Sequence, residues 1–115
     1  MVHAGPARNL RLEERMLIAA LLSVSHREKL KDLTPEIQAR DLQDGGMGSI
    51  RFDRADPRRF GQEIARAEYE DMDGVLVSIT LNIDDRGELF ELDIWKVDFS
   101  PLKRFPKPSD VFAAG

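Results

Sequence analysis

Glu68 and Asp93 are the residues whose type and setting come nearest to acid–base chemistry. Each alternates with apolar neighbours: Ala65, Ala67 and Tyr69 around the first, Phe90, Leu92 and Ile94 around the second. With a strand over 75–83 between them, Glu68, Ser78 and Asp93 form one row of an outward sheet face. Arg66, Thr80 and Glu91 form the next row, and Glu70, Leu76 and Trp95 a third. Two strand spacings of about 4.8 Å put the Glu68 and Asp93 backbones roughly 9–10 Å apart. An acid and a base with room for water between them is the arrangement of inverting sugar hydrolysis. Such work also needs a shifted pKa, and no pattern marks either carboxylate as buried. A solvated sheet face with good strand formers between its charges accounts for the same residues. No catalytic residue is therefore assigned. Glu68, Glu91, Asp93 and Arg66 stand as a polar face suited to a partner or a small molecule.

Other motifs weaken on inspection. Asp44-Gly45-Gly46-Met47-Gly48-Ser49 is glycine-rich like a phosphate loop, yet it has no Walker lysine and lies between strands. Asn82, Asp84, Arg86, Gly87 and Asp93 match five places of a calcium loop, but Arg86 puts a cation at a ligand position. Ser49, Ser78 and Ser100 lack a nucleophile-elbow context. With no cysteine and only His3 and His26, thiolate chemistry and multi-histidine metal sites have no donors. No cofactor or metal is expected. Arg58-Arg59 and Lys103-Arg104 with Lys107 read as solvated loop charges.

The elements that position these residues are legible in the alternation. The turn Met72-Asp73-Gly74 suits a three-residue loop with a left-handed glycine. It sets Tyr69 opposite Val77, Ala67 opposite Ile79 and Ala65 opposite Leu81. A second turn, Asp84-Asp85-Arg86-Gly87, pairs Ile83 with Glu88 and sets Leu81 opposite Phe90, Ile79 opposite Leu92 and Val77 opposite Ile94. Both hairpins then bury the same face. Residues 37–43 and 47–53 supply further strand candidates. A helix over 10–24 carries an apolar stripe of Met16, Leu17, Ala20, Leu21 and Val24. Ser25 and Glu28 have capping-box spacing, so either a short second helix runs to about Leu33 or one helix continues through.

The expected fold is α+β: an antiparallel meander of four to five strands with the N-terminal helix packed on one face. Residues 1–9 are expected as a flexible arm, 10–105 as a single domain and 106–115 as a tail. After Ile94 the alternation changes phase, placing Trp95, Val97 and Phe99 on the outward side. Burying a tryptophan removes about 150–250 Å² from water, worth at most roughly 4–6 kcal/mol. A bulge that turns the cluster inward, a C-terminal strap carrying Leu102, Phe105, Val111 and Phe112, or a partner would cover it.

A chain of 115 residues makes one domain with a core of its own. The apolar run Met16–Leu22 is too short to cross a bilayer, and the first residues lack the pattern of a secretion signal. A net charge of −4 argues against a general nucleic-acid binder. A cytoplasmic protein without nucleic-acid or membrane partners is the expectation.

Three segments resemble a small bacterial family of unknown function: Asp44 to Phe52, Glu91 to Leu102, and the helix from Glu13-Glu14-Arg15 to Leu22. The resemblance spans roughly residues 8–105. Family members open that helix with Thr-Pro-Glu-Glu, where Arg11-Leu12 precede the glutamates here. The resemblance implies a bacterial single-domain protein and supplies no activity.

The sequence thus favours a non-enzymatic protein-interaction module, a toxin-neutralising immunity role being one version. Its candidate contact residues are Glu68, Glu91, Asp93, Trp95, Val97 and Phe99, its partner another protein or a second copy. The alternative is a small enzyme or small-molecule binder using Glu68, Glu91, Asp93 and Arg66.

Overall fold

The computed structural model describes residues 4–27, 37–54 and 57–114. Its strands are β1 (Ala4–Asn9), β2 (Gln38–Leu42), β3 (Ile50–Phe52), β4 (Phe60–Glu70), β5 (Leu76–Asp84) and β6 (Leu89–Lys96). They form one six-stranded sheet in the order β1-β2-β3-β6-β5-β4, every neighbouring pair antiparallel. The helices are α1 (Leu12–Val24) and α2 (Pro108–Ala114). The architecture is α+β as expected, with six strands rather than four to five.

The additional strand comes from residues 4–9, expected as an arm. Arg8 explains why they stay in place. Its guanidinium donates to both carboxylate oxygens of Glu14 on α1, each at 2.9 Å. It also donates to Asp41 on β2 at 2.7 and 3.1 Å. Glu14 is buried, and it also accepts the Arg11 N–H at 2.8 Å. That last bond is the carboxylate half of a capping box, so the helix is capped without the Thr-Pro opening.

The β4–β5 hairpin has the expected register, Tyr69 opposite Val77, Ala67 opposite Ile79 and Ala65 opposite Leu81. Gly74 takes φ +78° in its turn. The β5–β6 hairpin departs from expectation by two residues. Ile83 pairs with Leu89, a bulge follows, and Leu81 then faces Leu92, Ile79 faces Ile94 and Val77 faces Lys96. Two residues is one strand period, so Leu92 and Ile94 still point inward. Phe90 does not. It is buried yet outside the core cluster, its ring under the guanidinium groups of Arg51 and Arg58 at 5.3 and 5.2 Å.

α1 covers the inner face with Leu17, Ile18, Leu21 and Leu22. Met16 and Val24, expected in the stripe, are exposed. Residues 16–22 are apolar nearly all round, so periodicity alone does not select the buried arc. The helix ends at Val24 with His26 left-handed at φ +59°. The Arg27 N–H donates to Leu22 O at 2.8 Å and the His26 N–H to Ser23 O at 3.1 Å. This Schellman closure rules out a helix carried straight through. The short second helix expected to about Leu33 lies outside the described residues from 28 onward.

The C-terminal segment does fold back, but onto the core side. Leu102 and Phe105 pack against the core and Val111 of α2 is buried within it. The Phe112 side chain lies outside the described part. Residues 108–114, expected as tail, form α2.

Candidate functional site

The sheet face opposite α1 is the outer face, and the register orders it into bands. At one end Arg40, Arg51, Arg54 and Arg58 surround Phe90 and Phe52 in a cleft of about 230 Å³. Each of these arginines is tied to a carboxylate: Arg40 to Asp53, Arg51 to Glu91, Arg54 to Glu88 and Arg58 to Asp84. The Arg58 guanidinium also donates to Phe52 O and Leu89 O. This end is basic in composition and largely neutralised in place.

The middle band carries the predicted polar residues in shifted rows. Asp93 lies opposite Thr80, which faces Arg66, and Glu91 lies opposite Asn82, which faces Glu63. Glu68 and Ser78 share their row with Trp95. The expected Glu68–Ser78–Asp93 row is thus incorrect: Ile83 pairs with Leu89 rather than Glu88, and the bulge at Phe90 adds the second residue of offset. Arg66 is committed to Glu63 through two bonds of 2.8 and 3.1 Å. Burial, reinforced by the neighbouring Glu91 charge, raises the Asp93 carboxyl to about 6. Its side-chain partner is Asn82, whose Nδ2 donates to Oδ2 at 3.0 Å. Asn82 is itself buried and satisfied by that bond. The structure does not pair Asp93 with Glu68.

The far end is apolar. Trp95, Val97, Phe99 and Leu76 are 48, 42, 67 and 39% exposed. The Trp95 and Phe99 rings lie 5.9 Å apart in a tilted contact. The phase change after Ile94 is therefore real and no bulge turns these residues inward. The C-terminal segment, passing on the core side, leaves them open.

What holds this end rigid lies beneath it. Lys96 is wholly buried, and its Nζ donates to Asp71 Oδ2 at 2.9 Å, Asp73 Oδ2 at 2.7 Å and Pro101 O at 3.3 Å. Asp71 Oδ2 also accepts the Lys103 N–H at 2.8 Å, and Oδ1 the Met72 N–H at 2.7 Å. Burial pushes the Asp71 carboxyl up, but these donors outweigh it and hold it at about 2. Burial opposes the Lys96 charge as well, and the two carboxylates override it and raise its pKa. The cluster joins the β4–β5 turn, the end of β6 and the returning segment. From the sequence, Asp73 reads only as a turn residue and Lys103 only as a loop charge, and the buried pair of Lys96 and Asp71 goes unread. A signal existed: alternation from Ile94 places Lys96 on the inward side.

The glycine-rich loop serves the same purpose. Asp44 fills its amide ring, accepting from the Met47 and Ser49 N–H groups at 3.0 and 2.9 Å. The Leu102 N–H donates to Gly46 O at 3.1 Å. A Cβ on Gly46 would come within 3.2 Å of Pro101. The loop thus seats the C-terminal segment. Ser49 Oγ both accepts from Ile94 N–H and donates to Ile94 O, extending the β3–β6 edge. Asp84, placed in the calcium-loop pattern, instead accepts the Arg86 and Glu88 N–H groups and pairs with Arg58. Among the described residues, no group of three or more His, Cys, Asp or Glu could hold a metal ion.

Two of the three segments that carry the family resemblance thus contribute the Lys96 clasp and the seat of the C-terminal segment. The model of a Domain of unknown function (DUF6984) matches residues 7–106. The chain belongs to that family. No curated protein matches it, and no solved structure does. The matched span runs from the second half of β1 to the returning segment, so it includes the Arg8 anchor, the Lys96 clasp and the outer face of β2 to β6.

Proposed function

We propose that this domain is a non-enzymatic protein-interaction module whose contact surface is the apolar end of the outer face with its acidic border. The carrying observation is that Trp95, Val97, Phe99 and Leu76 stay exposed while the chain's own C-terminal segment packs elsewhere. Clustered aromatic side chains on a rigid base are the usual anchors of protein interfaces. Glu68 shares the Trp95 row, Asp93 lies one row on, and Glu91, the remaining acid of the proposed surface, lies one row further. A toxin-neutralising role in a bacterial cytoplasm is one form of this reading. Among the described residues no helix is long and apolar enough to cross a membrane.

The test is recovery of partners from the native host by the tagged protein, compared with a Trp95→Ala, Phe99→Ala double variant. The reading expects a partner retained by the wild type and lost from the variant. Equal recovery by both would remove it. The reading as a small-molecule binder or enzyme draws its support from Asp93, the half-buried carboxyl held near neutrality. Of its other members, Arg66 and Glu91 are already ion-paired.

A further inference from the structure

The outer face is unbalanced in charge at its apolar end, and the imbalance specifies what would cover it. Elsewhere on the face carboxylates and arginines match: Glu91 with Arg51, Glu88 with Arg54, Asp84 with Arg58, Glu63 with Arg66. Around Trp95 they do not. Among the described residues, Glu68 and Glu70 make no side-chain ion pair, and Asp93 has only the neutral amide of Asn82. Glu68 shares the Trp95 row, Asp93 lies two residues before Trp95 on the same face, and Glu70 faces Leu76. An apolar patch of two aromatic and two aliphatic side chains is thus bordered by carboxylates that no cation ion-pairs; the nearby Arg66 and Arg51 are held by Glu63 and Glu91.

Resting on the interaction reading above, we propose that this end of the face takes a basic segment of a partner protein. Its lysine or arginine groups meet the Trp95 ring, Glu68 and Asp93, and its apolar side chains cover Val97, Phe99 and Leu76. An indole face attracts a cation, and the attraction grows as the site is desolvated. A carboxylate beside it adds a charge-assisted hydrogen bond. A second copy fits less well. It brings its own net charge of −4, and the arginines it would offer from this face are already paired. Nucleic acid and anionic membrane bring the wrong sign.

Trp95 is the only tryptophan, so its fluorescence reports on this patch alone. The experiment pans a displayed random peptide library on the wild-type protein, with Trp95→Ala as counter-target. Enriched peptides are then titrated by Trp95 fluorescence against wild type and a Glu68→Gln, Asp93→Asn double variant. We expect peptides that interleave Lys or Arg with apolar residues. Their affinity should fall about tenfold in the double variant and at least about tenfold between 50 and 500 mM NaCl. Trp95-dependent peptides that are uncharged or acidic, or affinities indifferent to both changes, overturn the basic-partner inference while leaving the interaction reading standing. A library yielding no Trp95-dependent peptide also overturns it; the interaction reading then rests on the host experiment alone.

Discussion

Lys96 Nζ sits 2.9 Å from Asp71 Oδ2 with both side chains sealed from solvent, directly under the residue step that turns Trp95 outward. The ion pair and the exposed indole are consecutive consequences of one strand parity. Removing Lys96 leaves the buried Asp71 without a cation, and removing Asp71 leaves the buried Lys96 only Asp73, at 2.7 Å; losing one partner is the most damaging way to break such a pair. Lys96→Met and Asp71→Leu should each lower Tm by more than about 10 °C. Lys96→Met combined with Asp71→Leu should be less damaging than the sum of the singles, because both charges go together. Thermal denaturation of the four proteins checks this, and strictly additive losses would contradict it.

Asp71 and Asp93 act on stability in opposite directions. Asp71 has a folded value of about 2, below its ordinary 3.8. Its contribution is present above pH 4 and is lost as pH falls toward 2. Asp93 is raised to about 6 from 3.8. The folded state then holds the proton more tightly, so stability falls as pH rises from about 4 to 6 and stays lower above. Asp93→Asn should therefore raise Tm by a few degrees at pH 7, with the gain shrinking toward pH 4. Denaturation of both proteins across pH 3–8 reads this out. A gain independent of pH would show that Asp93 is not the titrating group.

Glycines separate by the reason each is needed. A Cβ on Gly61 would lie 2.2 Å from Asp84 O and 2.5 Å from Asp84 C. That contact is backbone and cannot rotate away. Gly61→Ala must push β4 from the end of β5 and disturb the Arg58–Asp84 pair, at a cost of about 3 kcal/mol or more. Gly74 and Gly87 have open space but φ of +78° and +84°. Alanine there costs about 1–2 kcal/mol through conformation alone. Urea denaturation of the three variants should keep that order.

The alternation made the inner face legible, and with it the β4–β5 register and most of the core. The β5–β6 offset was not legible, because a bulge at Phe90 leaves no mark on a pattern whose parity it restores two residues later. That offset decided the fate of the candidate site, moving Asp93 and Glu91 into different rows from those expected. Strand β1 was missed for a different reason. Ala4 to Asn9 has neither strand propensity nor alternation, and its anchorage comes from Arg8 reaching Glu14 and Asp41, contacts distant in sequence. Lys96 was missed because a lysine inside an apolar alternation reads as its end, although the carboxylates of the preceding turn were available to receive it.

The Arg8 anchorage predicts a local effect. Arg8→Ala removes the cation from a buried Glu14 and an exposed Asp41, while the hydrogen bonds of β5 and β6 stay intact. Hydrogen exchange should accelerate at least about tenfold at the amides of residues 7–9 and their β2 partners. Amides of Ile79 and Leu92 should keep their protection. Uniform acceleration across the sheet would mean that β1 is part of the global cooperative unit instead.

Trp95 allows stability to be separated from binding. A half-exposed indole with one ring neighbour contributes little to the fold, and surface changes away from buried networks usually stay within about 0.5 kcal/mol. Trp95→Ala and Phe99→Ala should each leave Tm within about 3 °C of wild type. The Lys96 variants lie one residue away and should unfold far earlier, so the two classes of substitution bracket the same strand end. If Trp95→Ala were instead as destabilising as Lys96→Met, the indole would be part of the fold's own packing. Its exposure could then no longer support a docking role. If it is neutral, an exposed aromatic pair on a rigid, clasped strand end that contributes nothing to folding is free to serve a partner.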